Sequence, residues 1–256
     1  MEFFLVDAFT DTAFAGNTAA VVLLDEQADD TWMQSVAAEF KHSETAFVQA
    51  SGTAQKQLRW FTPTTEVDLC GHATLATAHV LGGDHTFRTR SGDLHCTDTG
   101  GGWIQMDFPA DHAQPLTPDA QVAAALQGVT IDHYAQGVAD LLVVAAKPDQ
   151  VRALEPDLTA IAALPVRGVI VTAPSDRDDI DFISRCFYPG SGVGEDPVTG
   201  SAHCTLAPYW SQRIGADELV GAQVSARGGV VRTTLRGDRV GLSGRAVTVA
   251  RGDLLV

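Results

Sequence analysis

The sequence predicts an α+β fold of two pseudo-symmetric halves, each a curved, mostly antiparallel sheet wrapped around a central helix. Three observations carry this. Arg59-Trp60-Phe61-Thr62-Pro63 returns in the second half as Arg185-Cys186-Phe187-Tyr188-Pro189, so one structural unit occurs once per half. Each copy ends a β-like run, Gln57–Phe61 or Asp179–Tyr188, and leads through a glycine-bearing turn into an Ala-rich helical stretch that opens at Gly71 or Gly200. The remaining strands follow one another with few helices between them, which suits antiparallel sheets better than a doubly wound parallel one.

In the first half, strands are expected at Glu2–Phe9, Thr18–Leu24, Thr45–Gln49, Thr86–Arg90 and Trp103–Phe108, each an apolar or alternating run of β-branched and aromatic residues. Asp30–Phe40 places Trp32, Met33, Val36, Ala37 and Phe40 on one helical face. Gly71–Leu81 carries almost no charge, as a helix enclosed by a sheet must. Pro109–Pro115 has two prolines and no periodicity, and is read as the linker. Beyond it, Asp119–Gln127 and Leu158–Leu164 read as helices, and Ile131–Ala135, Leu141–Ala146, Val166–Thr172, Gln223–Ala226 and Val230–Leu235 as strands. Gly200–Ile214 is the second central helix, with Pro208 expected to bend it.

The chain of 256 residues has 17 Lys+Arg against 32 Asp+Glu, a formal net charge of −15. Such a field repels phosphate backbones and anionic lipid, so neither nucleic acid nor a membrane surface is an expected partner. The longest apolar runs, such as Ala19–Leu24, are far too short to span a bilayer, and the acidic start argues against a signal peptide. The expectation is a cytoplasmic protein. Its cysteines, at 70, 96, 186 and 204, form no C-x-x-C pair and are expected as free thiols.

The chemistry-bearing residues sit in the loops that enter the two Ala-rich helices. A helix N-terminus offers unpaired N–H groups and the positive end of the dipole, so two of them can hold an anionic small molecule in a strongly acidic protein. The blander reading of the Gly, Ser, Thr and Asp in these loops is turn and cap duty alone. Glu44, at the start of a strand, is the candidate general acid–base. Its repeat counterpart, counted fifteen residues before Arg185 as Glu44 precedes Arg59, is the aliphatic Ile170. A solvent-facing glutamate would show the same asymmetry, but in a closed site desolvation would raise its pKa into a useful range. Gly190–Gly194 lacks the spacing of a dinucleotide loop. Cys70 and His72 with His79 fit no standard metal site, so no metal is expected. None of the three lysines, Lys41, Lys56 and Lys147, lies in these loops, which disfavours a Schiff-base cofactor.

Val6-Asp7-Ala8-Phe9-Thr10, Gly16-Asn17-Thr18-Ala19-Ala20-Val21-Val22, Ser43-Glu44-Thr45-Ala46-Phe47-Val48, Asp68-Leu69-Cys70-Gly71-His72-Ala73-Thr74 and Gly194-Glu195-Asp196-Pro197-Val198-Thr199-Gly200-Ser201-Ala202-His203 together resemble the PhzF (phenazine biosynthesis-like) family. They occur in family order and near family spacing; Thr18 stands where the family usually has proline. The resemblance implies the diaminopimelate epimerase-like fold. It implies a first half of residues 1–112 joined by the C-terminal strand 246–256, a second half of 113–245, and an active site in the cleft between them. It also implies a homodimer, no cofactor, and a small anionic substrate. Carried over, it makes Glu44 the general acid–base, with His72, Asp196 and Ser201 orienting substrate and assisting proton movement. The backbone at Gly71 and Gly200, with Ser43 and Cys70, binds substrate. The family's namesake isomerises dihydro-hydroxyanthranilate by moving a proton and a double bond. Two alternatives stay open on the sequence: an epimerase using Cys70 and Asp196, and a non-catalytic small-molecule-binding protein on the same fold.

Overall fold

A computed structural model describes residues 1–49, 55–117 and 119–256. The chain divides into two compact units, Met1–Phe108 with Ser243–Val256, and Pro109–Leu242. Among the described residues no helix is long and apolar enough to cross a membrane.

The first unit runs β1 (Glu2–Ala8), β2 (Asn17–Leu24), α1 (Asp30–Phe40), β3 (Glu44–Gln49), β4 (Gln55–Phe61), β5 (Glu66–Val67), α2 (Gly71–Leu81), β6 (His85–Thr89), β7 (Gly92–Gly100) and β8 (Trp103–Pro109). The second runs β9 (Gln114–Pro115), α3 (Ala120–Ala125), β10 (Ile131–Gln136), β11 (Asp140–Ala145), α4 (Pro148–Arg152), α5 (Leu158–Ala162), β12 (Gly168–Pro174), β13 (Phe182–Tyr188), β14 (Val193–Asp196), α6 (Gly200–Ile214), β15 (Glu218–Gln223) and β16 (Gly229–Arg236). The unit boundary then falls inside β17 (Arg239–Gly244), and β18 (Ala246–Asp253) pairs antiparallel with β1 in the first unit.

The repeat read from a five-residue motif extends through both units. β1/β2 are antiparallel, β2/β3 parallel, β3/β4 and β4/β5 antiparallel, β4/β6 parallel and β6/β7 antiparallel. The same succession recurs in β10/β11, β11/β12, β12/β13, β13/β14, β13/β15 and β15/β16. Matching ion pairs anchor it. Arg59 grips Glu66 at 2.7 and 2.8 Å and lies over the Phe61 ring, and Arg185 grips Glu195 at the same distances and lies over Phe187.

Register corrects one expectation. Arg59 lies opposite Phe47, whereas Arg185 lies opposite Val171, because the second hairpin is longer. Glu44, three residues before Phe47, therefore corresponds to Gly168 and not to Ile170, which is buried in the core beside α6. The adjoining parallel pairs agree, since Ala19 faces Glu44 and Asp140 faces Gly168.

The second unit's sheet is covered on both faces. Leu142, Val144 and Ile170 pack with Ala202, Leu206 and Trp210 of α6, while Leu141, Val143, Val169 and Val171 pack with the helical side of α3, α4 and α5. That double cover explains why β11 and β12 are nearly continuous apolar runs. In the first unit, α2 packs on β1, β2, β3 and β18, and its residues from His72 to Ala78 are buried. Met33, Val36 and Ala37 of α1 pack with Val22, Leu24, Phe47 and Phe61.

Two further expectations change. β15 ends at Gln223: Val224 donates to the Ser184 carbonyl (2.8 Å) and Ser225 to the Pro197 carbonyl (2.8 Å), which turns residues 224–226 off the strand. Pro109–Pro115 is not a free linker either. Pro208 lies inside a continuous α6 and cannot donate to the carbonyl of Cys204. The Asp111 N–H takes that carbonyl instead at 3.0 Å, and the Asp111 carboxylate accepts from Thr205 Oγ1 (2.9 Å) and from the Val138 N–H (3.0 Å).

Candidate active site

The first-unit cluster is built where β3 starts and α2 starts. Lys41, in the left-handed region at φ 58°, ends α1 and turns the chain so that Ser43 leads into β3 at Glu44. Glu44 Oε2 lies 3.3 Å from His72 Nε2, and Ser43 Oγ lies 3.3 Å from the same nitrogen. Cys70 Sγ lies 3.5 Å from His72 Nδ1. Ser43 also donates to Asn17 Oδ1 at 3.5 Å. Burial pushes the Glu44 carboxyl above its ordinary value, and hydrogen bonds from Ser43 and Cys70 pull the other way without cancelling the rise. The result is a carboxylate that holds a proton more readily than a surface glutamate, with 21% of its side chain open to solvent.

Behind this cluster, Asp7 is 1% exposed and fixes the loop that delivers Asn17. Its carboxylate accepts from the Phe14 N–H (2.7 Å) and the Thr18 hydroxyl (2.5 Å). Thr18 thus contributes a hydrogen bond that the family's usual proline cannot make. Gly16 closes the loop at φ +65°, with its Cβ position only 2.2 Å from the Ala8 carbonyl oxygen.

The central helices start differently from α1, α3 and α5. Asp29, Asp119 and Asp157 cap α1, α3 and α5 with their side chains. Among the described residues no side chain caps α2 after Cys70 or α6 after Thr199, and the five-residue α4 after Lys147 is likewise uncapped. A helix start without a capping side chain suits an anionic acceptor from outside the helix.

In the second unit, Asp196 Oδ2 accepts the Thr199 hydroxyl (2.5 Å), and buried Gln223 holds both residues. Gln223 Nε2 donates to the Asp196 carbonyl (2.6 Å), and Gln223 Oε1 accepts from the Thr199 N–H (2.9 Å). His203, fully buried, bonds the Thr199 carbonyl through Nδ1 at 2.8 Å, and burial pushes its pKa down to about 4. Ser201 Oγ accepts from Arg167 Nη2 at 3.0 Å. The structure thus groups Ser43, Glu44, Cys70 and His72 in one unit, and places Asp196, Gly200 and Ser201 at the corresponding loop and helix start of the other. Sequence reasoning missed Asn17, Arg167, Thr199, His203 and Gln223. Thr199 and His203 lie inside a motif already quoted, whereas only sheet register reveals Arg167 and Gln223.

Glu44, Cys70 and His72 offer oxygen, sulfur and nitrogen atoms within 4.8 Å of one another, a donor set zinc accepts. Their arrangement fits one ion poorly. The carboxylate meets Nε2 and the thiol meets Nδ1, so the two stand at different edges of one imidazole ring, which turns a single lone pair to any one metal.

A family model described as phenazine biosynthesis-like protein matches residues 6–252. The chain belongs to that PhzF family, and an isomerase-type function goes with it. It is 45% identical, over 99% of its length and 98% of the relative's, to a protein of Halalkalibacterium halodurans named as an uncharacterized isomerase. A crystal structure of a PhzF-family phenazine biosynthesis protein from Enterococcus faecalis is 39% identical and superposes with a TM-score of 0.94, covering 100% of this chain and 99% of that one. A protein of Agrobacterium radiobacter described as a probable proline racemase shares only 10% identity, covering 100% of this chain and 93% of that one. Its TM-score of 0.66 places this chain in the wider epimerase-like fold.

Proposed function

We propose that the protein is a cofactor-independent isomerase that moves a proton, and with it a double bond, on a small carboxylate-bearing substrate, using Glu44 as its single acid–base. The observation that carries this reading is Glu44 itself: a desolvated carboxylate against His72, in the one half of the repeat that has it, with Gly168 as its counterpart. The Glu44 carboxylate takes a proton from one carbon, and the C–H electron pair becomes part of the shifted double bond. The resulting carboxylic acid returns the proton to a second carbon on the same face. No electrons leave the substrate, so no redox partner enters. His72 supports the carboxylate through Nε2 while Ser43 and Cys70 hold the imidazole. The uncapped N–H groups of α2 and α6 suit a substrate carboxylate. The assignment of Asp196 and Ser201 to the same reaction, and of a homodimer to the protein, rests on the family pattern.

An epimerase using Cys70 and Asp196 is less well supported, because the repeat counterpart of Cys70 is Thr199, whose hydroxyl bonds the Asp196 carboxylate. Solvent-deuterium incorporation separates the readings. Wild-type protein should label a C–H position in a panel of cyclic amino and hydroxy acids that includes dihydro-hydroxyanthranilate, and Glu44→Gln should lose about 10²–10⁴-fold in rate. A purely binding protein leaves every C–H position unlabelled at stoichiometric concentration. Labelling by Glu44→Gln at the wild-type rate would show that another group moves the proton.

A further inference from the structure

The place that Ser43 and Glu44 occupy in the first unit is taken in the second by Arg167 and Gly168, immediately before and at the start of β12. The substitution is structural as well as sequential. A Cβ at Gly168 would fall 2.1 Å from Cδ1 of Tyr188, so the Tyr188 ring fills the space that a side chain such as that of Glu44 would need. The Arg167 guanidinium lies over this ring at 5.2 Å and is fixed by Asp140, which is 2% exposed. Nε donates to Oδ1 at 2.9 Å and Nη2 to Oδ2 at 2.5 Å. Nη2 also reaches Ser201 Oγ (3.0 Å), just as Ser43 reaches His72 at the matching helix position. Among the described residues Nη1 makes no hydrogen bond, and 43% of the side chain is open to solvent.

An arginine anchored through one edge by a buried acid, with its outer nitrogen free beside a serine hydroxyl, is a pre-set donor group. The anchor removes most of the rotamer entropy that a free arginine would lose on binding. We propose that Arg167, with Ser201, is the part of the second unit that recognises a carboxylate oxygen of the substrate, selecting an anionic group over a neutral isostere. The inference rests on the proposed isomerase reading for its substrate class, but on the Arg167–Asp140–Tyr188–Ser201 cluster for its geometry.

Benzoate and benzamide, equal in shape and different in charge, are the probes, titrated calorimetrically at physiological salt. Wild-type protein should favour benzoate by about tenfold or more, the size expected of one charged hydrogen bond. Arg167→Met should bring the two within about twofold, and Arg167→Lys should fall between, since an ammonium keeps the charge but not the fork. Removing the arginine leaves Asp140 uncompensated, so Arg167→Met combined with Asp140→Asn is measured alongside. If neither Met variant folds, Arg167→Lys decides alone. Absence of a benzoate preference in the wild type, or its full retention in the folded variants, overturns the proposal. The readout involves no proton transfer, so unaltered exchange by Glu44→Gln would defeat the acid–base reading without changing this result.

Discussion

Acid should weaken the second unit through His203. Its imidazole is fully buried, Nδ1 is bonded to the Thr199 carbonyl (2.8 Å), and among the described residues Nε2 has no hydrogen-bond partner, lying near Gly221 and the Phe182 ring. Burial holds its pKa at about 4 against an ordinary 6.5. Above 6.5 the ring is neutral in both the folded and unfolded chain, and no stability depends on it. Between 6.5 and about 4 only the unfolded chain takes the proton, so stability falls as the pH falls. At 1.36 kcal/mol per pKa unit, the displacement from 6.5 to about 4 amounts to about 3 kcal/mol. Urea unfolding of wild type and His203→Asn at several values from about pH 7 to about pH 4 measures it. The asparagine amide can still donate to Thr199 but does not titrate. Carboxylates shared by both proteins cancel, and any loss from the smaller side chain shifts the whole curve without changing its slope. The wild type should lose about 3 kcal/mol more than the variant across that window. Parallel curves would mean that His203 is not held neutral in the fold, and the reasoning would fail.

Three other outcomes follow from the first unit. Because burial raises the Glu44 pKa, the folded state bears a desolvation cost once the carboxyl ionises. Stability linked to this group is present below the unfolded value and lost as the pH rises through the folded one. Glu44→Gln should therefore be more stable than wild type at neutral pH, with the advantage vanishing in acid; a less stable variant at neutral pH contradicts the raised pKa. On the proposed mechanism, exchange by the wild type would need the ionised Glu44 and should fall on acidification at a pH above the ordinary glutamate value. Gly16→Ala should cost upwards of about 2 kcal/mol, from the left-handed backbone and the forced displacement of the Ala8 carbonyl. Denaturant midpoints check it, and a cost near zero would show that the loop between β1 and β2 is not fixed as described.

The sequence was most legible where structure is set locally. α1, α2 and α6 fall on their expected bounds, Asp30–Phe40, Gly71–Leu81 and Gly200–Ile214, because helical periodicity and uncharged central stretches depend on neighbours within a few residues. β7 escaped notice because only Leu94 and Cys96 of Gly92–Gly100 are buried among polar residues. β17, at Arg239–Gly244, and the five-residue α4 are too short or too mixed to stand out. Glu44, Cys70 and His72 could be picked from their motifs, but a motif does not say which ring nitrogen meets which partner.

By itself the sequence determined the repeated strand–turn–helix plan, the acidic character, the family, and the candidate acid in one half only. The tertiary structure alone decided that Gly168 is the counterpart of Glu44, that the Asp111 N–H takes the carbonyl left open by Pro208, that Gln223 secures Asp196, and that Asp140 steadies Arg167 across 27 positions of chain. The division has a physical cause. Helix formation and apolar periodicity are short-range and are written in consecutive residues. Strand register and buried polar partnerships are settled between segments far apart in the chain, where each donor finds whatever acceptor the packed sheets bring to it.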